Sequence, residues 1–80
     1  MTVEVRLFAT LSQFLPPGSK AGTVVLEVPE GARVTDVTRR LGIPAGFDHV
    51  LLLNGSNAYA EARVHPGDVI DIFPPLAGGG

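Results

Sequence analysis

Only one stretch of this chain repeats with the period of a helix. Val34, Val37, Thr38 and Leu41 fall on one side of it, and Asp36, Arg39 and Arg40 on the other. Gly42 stands where a C-terminal cap belongs and Pro44 blocks continuation, so the spacing predicts a helix over Val34 to Leu41. Arg33 is a poor N-cap, because Ser, Thr or Asp would serve the free N–H groups better. One helix covers one face of a sheet and leaves the other to solvent.

The sheet itself is legible as strand-like segments. Thr2 to Ala9 alternates, with Val3, Val5 and Leu7 against Glu4, Arg6 and Phe8. Thr10 to Leu15 has room for about one helical turn before Pro16-Pro17-Gly18 breaks it. Thr23 to Val28 is a second strand, ended by Pro29-Glu30-Gly31. His49 to Leu53 is a nearly continuous apolar run, followed by the strong turn signal Asn54-Gly55. Asn57 to Ala60 is expected as a short strand. His65-Pro66-Gly67-Asp68 turns the chain into a last strand, Val69 to Phe73. The order β-β-α-β-β-β makes an α+β domain with a mixed sheet and one main helix. A β-grasp arrangement fits it, with the first and last strands parallel at the sheet centre. Parallel neighbours need a long connection, and here the whole domain supplies it.

Eighty residues allow one domain with a small core. The boundaries expected are 1–76 for the β-grasp domain and 77–80 for a flexible glycine tail. The chain has no cysteine, which excludes disulfides, thiolate ligands and a cysteine nucleophile. His49 and His65 without a third ligand make a poor metal site. A net charge of −2, with Lys20 and five scattered arginines, gives no basic patch for nucleic acid. No apolar run has the length of a membrane span, and the start lacks a signal peptide, so a cytoplasmic protein is expected.

If Val3, Val5 and Leu7 face the helix, then Phe8 points outward with Glu4 and Arg6. In the last strand Ile70 and Ile72 are the inward pair, leaving Phe73 outward with Asp71. Parallel pairing brings Phe8 and Phe73 together where the tail departs, and Pro74, Pro75 and Leu76 extend that surface. Such a cluster reads as a docking patch. No side chains converge as an active site would require. The tail, Ala77-Gly78-Gly79-Gly80, is the remaining candidate for chemistry, because a fold gains nothing from ordering bare glycines.

LFATL, VPEGARV, LLLNG, HPGDVIDIFPP and the glycine end, taken with this order of elements, resemble the ubiquitin-like sulfur carriers of the MoaD and ThiS families. The likeness spans essentially the whole chain and is strongest to MoaD, the small subunit of molybdopterin synthase. A terminal glycine pair is weak by itself; IFPPLAGG after a Gly-Asp turn is specific. The resemblance implies a carrier that is not an enzyme alone and binds no cofactor. An adenylating enzyme of the ubiquitin-activating type (MoeB- or ThiF-like) would bind the patch and use ATP to adenylate the Gly80 carboxylate. A persulfide donor would convert it to a thiocarboxylate, which would deliver sulfur to a pterin precursor in the large subunit (MoaE-like).

Two alternatives within and beside that chemistry stand open. One is a sulfur carrier for thiamin thiazole, tRNA thiolation or another product; the other is a ubiquitin-like protein modifier. Phe-Pro-Pro before the tail favours the molybdopterin branch. The family ending carries one small residue and two glycines, whereas Ala77 is followed here by three. Gly78 is then read as a spacer and Gly79-Gly80 as the working pair, although removal of Gly80 would also restore the pattern.

Overall fold

A computed structural model describes residues 1–43 and 50–74. Five strands, β1 (Thr2–Leu7), β2 (Thr23–Glu27), β3 (Val50–Leu53), β4 (Ser56–Asn57) and β5 (Val69–Phe73), form one mixed sheet in the order β2-β1-β5-β3-β4. A 3₁₀ helix, Ala9–Phe14, follows β1, and the single α-helix, α1 (Val34–Arg40), lies between β2 and β3. β1 and β5 run parallel at the centre, and the other neighbours pair antiparallel. This is the β-grasp, ubiquitin-like architecture.

The alternation in the sequence decides which face is buried. Val3, Val5 and Leu7 of β1, with Ile70 and Ile72 of β5, lie at 3% exposure or less. Val34, Val37 and Leu41 from the helical stretch and Leu11 from the 3₁₀ helix complete the same core with Ile43, Leu51 and Val64. Deleting any of these side chains removes contacts that a domain of this size has few means to replace.

Both ends of α1 are closed by backbone and side chain. At its C-terminus Gly42 takes φ 81°, Gly42 N–H bonds the Arg39 carbonyl and Ile43 N–H bonds the Thr38 carbonyl, each at 3.0 Å. That pair of bonds is a Schellman motif, and buried Ile43 supplies its hydrophobic contact. At the N-terminus Arg33 offers no acceptor, as the sequence suggests. Asp36 compensates by reaching back to accept the Arg33 N–H at 2.9 Å.

Several element bounds differ from the sequence reading. β1 stops at Leu7, because Ala9 turns the chain with φ 52° into the 3₁₀ helix. That helix spans six residues rather than one turn. β2 ends at Glu27, and α1 ends at Arg40 with Leu41 as its cap. The fourth strand is Ser56–Asn57, not Asn57 to Ala60: Asn54 and Gly55 both take positive φ and close a tight turn, so pairing resumes at once. His49 and the glycine tail lie outside the described residues.

Candidate functional site

The register of the central strands builds the outer face of the sheet. Leu7 opposes Ile72 and Arg6 opposes Asp71, so the next outward position on β1's line, Phe8, meets Phe73. Phe8 N–H donates to the Ile72 carbonyl at 3.2 Å, carrying the ladder one residue past β1. The two rings stack with centroids 4.4 Å apart and planes inclined by 7°. Phe8 remains 37% exposed, so the 3₁₀ helix does not cover it. Pro74 follows Phe73 half-buried; Pro75, Leu76, Ala77, Gly78, Gly79 and Gly80 are beyond the described residues.

Val50 on β3 opposes Phe73 and is 47% exposed, extending the aromatic pair to Phe8-Phe73-Val50 across three strands. Leu52 opposes Asp71 on the same face. Neither Val50 nor Leu52 could be picked from the sequence, since a continuous apolar run carries no alternation to tell its faces apart. Their signal lay in the pairing of β3 with β5, which only the fold reveals.

Directly behind the aromatic row sits a charge pair. Arg6 Nη2 donates to Asp71 Oδ2 at 2.8 Å, and its Nε donates to Oδ1, a two-pronged contact across β1 and β5. The sequence placed Asp71 outward, and it does face outward, yet it is buried, because it lies on an inner strand between Arg6 and Leu52. Arg6 is raised above its ordinary pKa, first by that hydrogen bond and then by the charge of Asp71. The face is therefore apolar with a self-neutralised centre. A partner covering the pair would strand neither of its two charges.

At the far end of β5, Asp68 closes the turn that sets this register. It accepts from Asn54 Nδ2 at 3.0 Å and from His65 N–H at 2.7 Å, while Asn54 Oδ1 takes the Val69 N–H at 2.9 Å. Burial pushes the Asp68 pKa up, but the hydrogen bonds from Asn54 and His65, with the nearby His65 charge, bring it below the usual value. Among the described residues no group of three metal-ligating side chains exists, and no helix is long and apolar enough to cross a membrane. What the arrangement offers is an exposed apolar row, Phe8-Phe73-Val50, at the end of β5.

Fold and face together define a ubiquitin-like β-grasp protein. It is similar to SAMP1 from Haloferax volcanii, with 25% identity over 99% of this chain and 100% of that one, at a TM-score of 0.75. It is also similar to a putative molybdopterin converting factor, subunit 1, from Pyrococcus furiosus, with 26% identity over 94% and 98% of the two chains and a TM-score of 0.71. The fold recurs in the complex of subunits 1 and 2 of the molybdopterin-converting factor from Helicobacter pylori 26695, at 21% identity, 95% and 96% coverage and a TM-score of 0.60. No curated protein matches by sequence. Residues 1–77 match the family model Mut7-C ubiquitin, and the chain belongs to that family.

Proposed function

We propose that the chain is a sulfur carrier whose terminal glycine is adenylated and converted to a thiocarboxylate, and that it serves molybdopterin biosynthesis as a small subunit of molybdopterin synthase. The observation that carries this reading is the Phe8-Phe73-Val50 row at the end of β5, at the root of a tail of sequence PPLAGGG. A binding module alone has no use for an apolar face set at the root of a glycine tail. The likeness to a molybdopterin converting factor subunit 1 supports the branch.

The chemistry asks little of the domain. The Gly80 carboxylate attacks the α-phosphorus of ATP and pyrophosphate leaves, giving an acyl-adenylate on the activating enzyme. The terminal sulfur of a persulfide attacks the carbonyl carbon and AMP leaves. A thiol then cleaves the resulting acyl disulfide, becoming a disulfide itself and leaving the thiocarboxylate. Glycines suit the tail because a narrow channel and backbone angles forbidden to a Cβ are open only to them. Pro74-Pro75 favours an extended exit from the sheet.

ATP–pyrophosphate exchange with a ubiquitin-activating-type enzyme from the same cells tests the proposal. Exchange that depends on the glycine end and falls on Phe73→Ala supports it; no exchange overturns it. A second reading, a modifier joined to lysines of other proteins, draws on the likeness to the small archaeal modifier protein 1 of H. volcanii, 27% identical at a TM-score of 0.74. Covalent adducts formed in place of a thiocarboxylate would favour that reading.

A further inference from the structure

Tyr59 is the most exposed large apolar side chain among the described residues, at 82%, and the row Phe8-Phe73-Val50 stops one strand line short of it. A single exposed tyrosine means nothing by itself. This one, however, stands on backbone that is held on all sides. Ala58 N–H donates to the Leu51 carbonyl at 3.0 Å, Ala62 N–H to the Tyr59 carbonyl at 3.0 Å, and Thr35 N–H to the Ala60 carbonyl at 2.8 Å.

The register then says what Tyr59 faces. β4 sets Ser56 against Leu53 and Asn57 against Leu52, and the Ala58–Leu51 bond extends that line. The next position puts Tyr59 across from Val50. An antiparallel ladder alternates hydrogen-bonded pairs with pairs whose side chains stand closer together. Ala58–Leu51 is of the first kind, so Tyr59–Val50 is of the second. Val50 in turn opposes Phe73, whose ring stacks on Phe8. The exposed row therefore crosses four chain segments, about 14 Å at ordinary strand spacing.

Val50 and Tyr59 line one groove of 330 Å³ together with Leu51, Ala58 and Asn57. Four of the five are apolar and none is charged. A charged group entering it would give up water without finding a partner, whereas an apolar group gains by leaving water. We propose that this groove receives an apolar side chain of the adenylating enzyme, with Tyr59 as a second anchor beside Phe73; the assignment rests on the activation step proposed above. Continuity decides the occupant, because a partner that covers Phe8, Phe73 and Val50 runs onto the groove without a break. The exposed Asn57 leaves an amide at the rim for that partner's main chain. Fixed backbone under a ring with few rotatable bonds keeps the ordering cost of such an anchor low.

Tyr59 is the only tyrosine of the chain, so ring-labelled tyrosine gives the full-length protein a single reporting residue. In titration with the unlabelled adenylating enzyme from the same cells, its ring signals should shift as the complex forms. By calorimetry Tyr59→Ala should bind about tenfold more weakly, and Tyr59→Phe, which keeps the ring, should bind as the native chain does. The position is exposed, and unchanged far-UV circular dichroism checks the fold. Phe73→Ala, measured alongside, separates the two claims. Weaker binding by Phe73→Ala, with native affinity for Tyr59→Ala and an unmoved ring signal, would overturn the groove assignment and leave the carrier reading standing. No binding by the native chain would overturn both. Self-association in place of enzyme binding, seen by sedimentation equilibrium and lost in Tyr59→Ala, would give the groove to a second copy and overturn the proposal.

Discussion

Removing either partner of the Arg6–Asp71 pair breaks the same two hydrogen bonds, but the two losses should differ in size. The Asp71 side chain is 9% exposed and that of Arg6 45%. With Asp71→Leu, the freed guanidinium swings into water, which already wets half of it. With Arg6→Leu, the carboxylate is held between β1 and β3, where Leu52 is its other cross-strand neighbour. Stranding a buried carboxylate by removing its partner costs 3–5 kcal/mol when burial is complete. Here one side is open to solvent, so about 2–3 kcal/mol is expected for the Asp71 carboxylate left behind. That is a large part of the few kcal/mol that hold a small domain. The double variant Arg6→Leu/Asp71→Leu removes both charges and should recover most of the loss. Urea unfolding, comparing midpoints at constant slope, reads all three. Equal losses for the two single variants, or a double variant as poor as Arg6→Leu, would refute the account of this face.

Three further outcomes are expected. Phe73→Ala should weaken binding to the adenylating enzyme by 2 kcal/mol or more, as central aromatic anchors commonly do, and calorimetric titration with unchanged affinity would contradict its role in docking. Deleting Gly79-Gly80 should move thermal stability by no more than about 0.5 kcal/mol while abolishing ATP–pyrophosphate exchange, since glycine offers no side chain to bury. Asp68, with its pKa lowered by folding, binds its proton more tightly in the unfolded chain. Its contribution is therefore whole above the ordinary aspartate value near 4 and is lost as pH falls through the folded value. Asp68→Asn should flatten the acid limb of a urea-midpoint profile, and an unchanged limb would contradict the assignment.

The fold was open to sequence reasoning wherever alternation was clean. Val3, Val5 and Leu7 against Ile70 and Ile72 determine the buried face of the two central strands, and with it the meeting of Phe8 and Phe73. Gly42 announced the helix end it forms. Long-range partners were not open. Arg6 and Asp71 are 65 residues apart, and an aspartate at an outward position reads as exposed until its two strand neighbours are known. Val50 stayed hidden in an unalternating run for the same reason. The short fourth strand was misplaced because Asn54-Gly55 leaves no gap before pairing, so Ser56 already opposes Leu53, and the Ala58 N–H continues that ladder to the Leu51 carbonyl at 3.0 Å.

The central claim is a sulfur atom carried on a glycine carboxylate, and intact mass spectrometry of the protein reads it directly. The protein would be isolated from its own cells, and also incubated with the adenylating enzyme, ATP and a persulfide donor. The account predicts a species heavier by the difference between sulfur and oxygen, located on the C-terminal glycine by fragmentation and absent when ATP is withheld. A chain that keeps an unaltered carboxylate under all of these conditions, while its partner adenylates another carrier, would contradict it.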